Sequence, residues 1–249
     1  MAISLRYLIR TFLLLGLLFG VAVSSARAAD PATPAKEVSL KFTVFALGGA
    51  DGLAYRSTTE GEPRALKFYS AYRSAVYVYK GAEQLSFFEA DTIESAAPRP
   101  VAVYTIPKGA TNLLLLFFPR ESPAHDGLKY DVHGVDDSTS RTPPGHFTTI
   151  NVSGREYAGL YAGQRITIPQ GVGEAHMGRS KVSLQLASQV EGSWLSTGRH
   201  EFSMSSKDRV TLIFYPSASR TGAYPIIRRL VDTPSSIESE KGSELAQLP

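Results

Sequence analysis

Asn112-Leu113-Leu114-Leu115-Leu116-Phe117-Phe118-Pro119 and Arg209-Val210-Thr211-Leu212-Ile213-Phe214-Tyr215-Pro216 are the two most apolar stretches beyond the N-terminal segment, and both end at a proline. Successive side chains of a strand point to opposite faces, so a strand apolar at every position must be covered on both. A buried helix needs about a dozen residues, whereas each of these runs stops after about eight. Both are expected to be central strands, with Leu114, Leu116, Leu212 and Phe214 in the core.

Outward from these two runs, the chain is a series of short β-branched and aromatic segments separated by Gly, Pro, Asp and Ser. Residues 38–47, 65–70, 74–80, 84–90 and 100–107 precede the first run. Residues 128–135, 146–153, 164–169, 181–190 and 199–205 lie between the two, and 226–231 follows the second. Alternation is plain in Val76-Tyr77-Val78-Tyr79 and in Leu184-Gln185-Leu186, and no dozen residues carry a 3.6 period. The expected fold class is therefore all-β, as two tandem β-sandwich-like units, with one larger β-sandwich as the alternative. Three landmarks suggest duplication. Lys41–Leu47 aligns with Lys129–Val135, Tyr79-Lys80-Gly81 with Tyr161-Ala162-Gly163, and Phe117-Phe118-Pro119 with Phe214-Tyr215-Pro216. This reading puts unit 1 at 38–120, a seam at 120–127 and unit 2 at 128–232. A Pro/Ala lead-in at 29–37 and a polar tail at 233–249, expected to be disordered, flank them.

The first 28 residues read as a signal peptide. Arg6 and Arg10 precede an apolar run from Phe12 to Val23, and Ala26-Arg27-Ala28 is a small-x-small cleavage pattern. The run is shorter than the roughly 20 apolar residues of a spanning helix, so no transmembrane helix is expected to be retained. Export to the periplasm or cell surface follows. The segment holds three bases and no acid, so its removal leaves 23 Lys and Arg against 23 Asp and Glu. A neutral chain lacks the electrostatic footprint of nucleic-acid binding. Zero cysteines exclude disulfides, thiolate catalysis and Cys-ligated metal.

The most site-like stretch is 136–153. Asp136 and Asp137 lead a Ser/Thr-rich loop, Pro143-Pro144-Gly145 turns the chain, and His146 and Asn151 lie on the strand that follows. Such groups can hydrogen-bond a sugar, although Asp, Ser and Pro are also what turns need. Asn151-Val152-Ser153 matches an N-glycosylation acceptor. A second candidate is the aromatic cluster of Phe68, Tyr69, Tyr72, Tyr77 and Tyr79, in which Tyr77 and Tyr79 share a strand face able to stack on a ring. The five histidines lack ligand spacing, and no hydrolase, zinc-protease, P-loop or dinucleotide motif is present, so neither metal nor cofactor is expected.

The string Pro144-Gly145-His146-Phe147 through Ile150-Asn151-Val152-Ser153, with Tyr77–Gly81 and Leu113–Pro119, resembles uncharacterised secreted proteins of Verrucomicrobia and related bacteria. That resemblance implies export and no particular activity. The two-unit layout is similar, at the level of fold alone, to periplasmic pilus chaperones. The expected function is a non-catalytic binding or structural module whose partner is envelope polysaccharide or another envelope protein. The alternative is a secreted hydrolase of envelope polysaccharide.

Overall fold

A computed structural model of the protein describes residues 37–233 apart from 59, 71, 96, 121–125 and 217–223. The segment read as a signal peptide, the expected lead-in as far as 36 and the expected disordered tail from 234 lie outside the described residues. Every regular element among the described residues is a strand. The first eight are β1 (Val38–Ala46), β2 (Leu53–Arg56), β3 (Pro63–Ala65), β4 (Tyr77–Gly81), β5 (Gln84–Glu89), β6 (Ala102–Thr105), β7 (Asn112–Pro119) and β8 (Tyr130–Asp136). They form two sheets, ordered β4-β1-β7-β8 and β3-β2-β5-β6. The remaining strands are β9 (His146–Asn151), β10 (Tyr157–Tyr161), β11 (Gln164–Ile168), β12 (Gly171–Val172), β13 (His176–Met177), β14 (Lys181–Val190), β15 (Ser193–Ser203), β16 (Arg209–Tyr215) and β17 (Ile226–Asp232). These make a sheet ordered β12-β9-β16-β17, with β13 also on β9, and a sheet ordered β11-β10-β14-β15.

The two apolar runs, β7 and β16, are central strands covered on both faces. From β7, Leu113, Leu115 and Phe117 meet Leu53, Tyr55, Leu85 and Phe87 of the β3-β2-β5-β6 sheet. Leu114 and Leu116 point the other way, with Phe45 and Val135, onto Ile150, Ile213 and Leu230. From β16, Val210, Leu212 and Phe214 meet Tyr157, Ile168, Leu184 and Leu186. The sheets thus stack in four layers, with those of β7 and β16 innermost. Leu114, Leu116, Leu212 and Phe214 are all buried.

The strand order of the first sandwich recurs in the second. β1 runs parallel to β7 as β9 does to β16, and Phe42-Thr43 stands opposite Leu113-Leu114 as Phe147-Thr148 stands opposite Val210-Thr211. The Leu47 amide donates to the Phe117 carbonyl, and the Val152 amide to the Phe214 carbonyl. So Phe117–Pro119 does match Phe214–Pro216, but the other two landmarks fail. Residues 128–135, expected to open the second unit, form β8 and pair with β7; Val44 and Val132 therefore share one sheet. Tyr79–Gly81 ends a strand, whereas Tyr161–Gly163 enters a two-residue turn with Ala162 and Gly163 both at positive φ. The strand expected over 65–70 stops at Ala65, and Leu66 and Phe68 reach the core from an irregular segment.

Candidate functional site

The six residues singled out in the sequence are not brought together, and most of their polar groups are committed internally. Asn151 is 1% exposed. Its Nδ2 donates to the Arg155 and Ile168 carbonyls at 2.6 and 3.1 Å, and its Oδ1 accepts from the Ser153 amide and hydroxyl. An amide held this way braces the β9–β10 corner and is closed to a glycan. Asp136 accepts from the Ser138 amide at 3.0 Å and shapes the turn, while His146 Nδ1 lies 3.0 Å from the Pro144 carbonyl.

The aromatic cluster divides. Tyr77 packs against Phe42 and Tyr55, and its hydroxyl accepts from the Lys67 amide at 2.8 Å. The Tyr79 hydroxyl donates to the Ala82 carbonyl at 3.0 Å. Burial pushes both phenols above their ordinary pKa, and Tyr55 is pushed up to about 12. Phe68 lies edge-on to Phe117, which leaves Tyr69 and Tyr72 exposed.

Asp137 belongs to a group that the sequence does not single out. Its carboxylate meets Arg73 Nη1 and lies 3.6 Å from Arg209 Nη2, while its carbonyl accepts from Arg209 Nη1 at 2.8 Å. Asp232 is held by Arg209 Nε and Nη2 and by Arg73 Nε, each at 2.8 Å. Two guanidiniums and two carboxylates thus form a closed ring. Arg73 and Asp137 come from the first half, Arg209 and Asp232 from the ends of β16 and β17. Burial pushes the Asp137 carboxyl upward and Asp232 adds to that, against the pull of Arg73 and Arg209. A cavity of about 190 Å³ adjoins the ring, lined by Lys41, Thr43, Asn112, Ser138 and Thr139 among others. The Asp137 side chain is a structural tie with little left for a ligand.

The roomiest opening described, about 660 Å³, lies at the mouth of the second sandwich, where edge strand β11 faces β12 and β13. Arg141, Gln164, Arg165, Thr167, Glu174 and His176 line it. The ring of His176 lies 5.3 Å from that of Phe147; burial lowers its pKa, against Glu174, which raises it. Arg165 reaches from the cleft to the outer face of its sheet, where its guanidinium sits 5.3 Å over the ring of Trp194. Neither Arg141 nor Arg165 meets a carboxylate among the described residues. Leu160 stands opposite Arg165 on β10. Leu160 and Trp194, 43 and 50% exposed, both point to the outer face of this sheet, beside the polar cleft.

The backbone makes this surface. Glu191 and Gly192, both at positive φ, close β14 and β15 into a tight hairpin. The pairing slips between Leu186 and Ala187, opposite Gly198 at φ 117°, which leaves Thr197 unpaired. A bulge of this kind bends and twists its strands, and the hairpin tip carries Trp194. Sequence reasoning missed the site, although one signal was present: Trp194 is the single tryptophan of the chain and lies two residues after a Glu-Gly turn. The chain matches no family model and no curated protein.

Proposed function

We propose that the chain is a non-catalytic binding module exported to the periplasm or cell surface, and that the mouth and outer face of the second sandwich take an envelope polymer. The observation that carries this reading is Trp194, half exposed, with the guanidinium of Arg165, a residue lining the 660 Å³ cleft, 5.3 Å over its ring. Exposed large apolar side chains on a soluble domain mark interaction sites when they cluster, and Trp and Arg dominate binding energy where they do. The competing reading, a polysaccharide hydrolase, needs two carboxylates about 5–10 Å apart across a cleft. Among the described residues, Glu174 is the one carboxylate lining this one.

The single tryptophan is its own reporter. Titrating the full chain with solubilised envelope polysaccharide should change Trp194 fluorescence saturably without releasing new reducing ends. Release of reducing ends would establish the hydrolase, and an unresponsive Trp194 would remove the site. We also infer that the two sandwiches arose by tandem duplication. Superposing 38–136 on 146–232 should bring Phe42 onto Phe147 and Phe117 onto Phe214, and a slip of one residue would refute it.

A further inference from the structure

We propose that the polymer bound at the second sandwich is an acidic polysaccharide, with Arg141 and Arg165 reading its carboxylates and Trp194 stacking on a sugar ring. This rests on the binding reading above and adds the chemistry of the ligand.

Charge supplies the first argument. The mature chain is neutral, yet its two halves are not alike. Residues 38–136 hold ten Lys and Arg against eleven Asp and Glu; residues 146–232 hold ten against six. The first half pairs much of its charge, as Arg120 does with Asp126 and Asp131, and Lys129 with Glu89. Among the described residues, the two guanidiniums at the mouth of the second sandwich meet no carboxylate, and Glu174 is the one acid in the lining beside them. Each guanidinium offers five N–H donors in a planar fork that fits a carboxylate in bidentate fashion.

Geometry supplies the second. A bare anion would need the two arginines only. Here Arg165 has one face over an indole, so a carboxylate on its edge sets the attached ring beside Trp194. Gln164 and Thr167 line the same wall as Arg165, and their amide and hydroxyl suit the hydroxyls of a neighbouring sugar. Leu160, opposite Arg165 on the adjoining strand, gives the apolar footing that a sugar face needs and a compact anion does not. The cleft is open along β11, as a chain passing through it requires.

The test compares three polymers on the full mature chain, read by Trp194 fluorescence. Polygalacturonate carries ring and carboxylate, its full methyl ester carries the ring alone, and polyacrylate carries the charge alone. Polygalacturonate should bind, with affinity falling as salt is raised, and the other two should bind at least tenfold more weakly. Arg141→Gln and Arg165→Gln should each weaken it by about tenfold or more, since each removes a charge-assisted contact. Both side chains are exposed, so melting temperatures should stay within a degree or two and a folding defect is separable. Equal binding of the methyl ester, untouched by the arginine variants, would overturn the acidic ligand and leave the binding module standing. Equal binding of polyacrylate, which has no sugar ring to stack on Trp194, would reduce the site to plain charge attraction and also overturn it. Failure of polygalacturonate, its ester and solubilised envelope polysaccharide alike to change the fluorescence would remove both readings.

Discussion

The two sandwiches share a strand order and differ in how they are closed. In the first, edge strand β6 is sealed against β8: the Lys129 and Tyr130 amides both donate to the Val101 carbonyl. Tyr104 lies over Gly134, where any Cβ would collide with its ring. Its other mouth is filled by the segment that carries Leu66 and Phe68 inward. In the second, β15 sits where β6 does, yet no ladder joins it to β17 among the described residues. Arg229 occupies the place of Gly134 by register, with its guanidinium 5.9 Å over the ring of Phe202 and His200 close enough to feel its charge. One frame, filled, makes a scaffold; the same frame left open makes a surface with an exposed indole and a polar cleft. An unsealed edge exposes backbone that could pair elsewhere, so leaving it open needs a reason such as binding.

The ionic ring between the halves is where the comparison breaks most violently. Arg209→Ala would leave Asp137 and Asp232 buried with one cation between them, a loss of about 3–5 kcal/mol by urea denaturation. The two carboxylates hold matching positions: Asp232 pairs with Arg209 at the start of β16, and the Asp137 amide donates to the Asn112 carbonyl at the start of β7. Their burial differs, at 4% exposed for the Asp232 side chain and 18% for Asp137. Asp232→Asn should therefore cost more than Asp137→Asn, and equal losses would mean that the ring is not the tie between halves.

Core and rim give the next test. Leu116 lies between the inner sheets at 0% exposure, whereas Leu195 lies near the tip of the β14–β15 hairpin at 41%. Leu116→Ala should cost about 2–5 kcal/mol and lower the melting temperature by many degrees. Leu195→Ala should fall within about 0.5 kcal/mol. Similar shifts would place the four-layer core wrongly.

Legibility followed the same divide. Runs apolar at every position announced their burial, because only a strand covered on both sides can be built that way. The second half's start was misread because Lys129–Val135 and Lys41–Leu47 look alike as the two strands that flank β7 in one sheet, selected by the same core. The better match, Phe42-Thr43 with Phe147-Thr148, is two residues long. Strand β10, Tyr-Ala-Gly-Leu-Tyr, hides behind a glycine, whose absent Cβ admits Ile166 and Leu184. Asp137 was visible as a charge, but its partners Arg73 and Arg209 lie 64 and 72 residues away. Contacts of that span leave no local pattern.

Alkali should act on the sealed half. Tyr55, Tyr77, Tyr79 and Tyr104 all have phenols raised by burial. A phenol with a higher pKa folded than unfolded keeps its proton where the unfolded chain has lost it. Stability is whole below about pH 10 and falls as pH climbs toward 12, by about 2–3 kcal/mol for Tyr55 alone. Tyr55→Phe should flatten that limb, and a wild-type slope in the variant would assign it elsewhere.

Acid should act on the open half, and more gently. His200 has its pKa lowered by burial and then by Arg229, and His176 by burial against the opposing pull of Glu174. The sign is the reverse of the tyrosines. Here the unfolded chain takes the proton first, so stability is whole above about pH 6.5 and declines as pH drops below it. Both rings are partly exposed, and water screens the charge they gain, so the decline should be shallow. His200 has the further handicap that its buried Nε2 lacks a partner, beside a cavity of about 220 Å³ bounded by Thr197, Pro225 and Ile227. Protonation there puts a cation next to Arg229. Hydrogen exchange followed from pH 7 to pH 5 should therefore loosen β14 and β15 before β5 and β6. His200→Gln, which cannot take up the proton, should abolish that difference; loosening of both halves together would mean that the open edge is no weaker than the closed one.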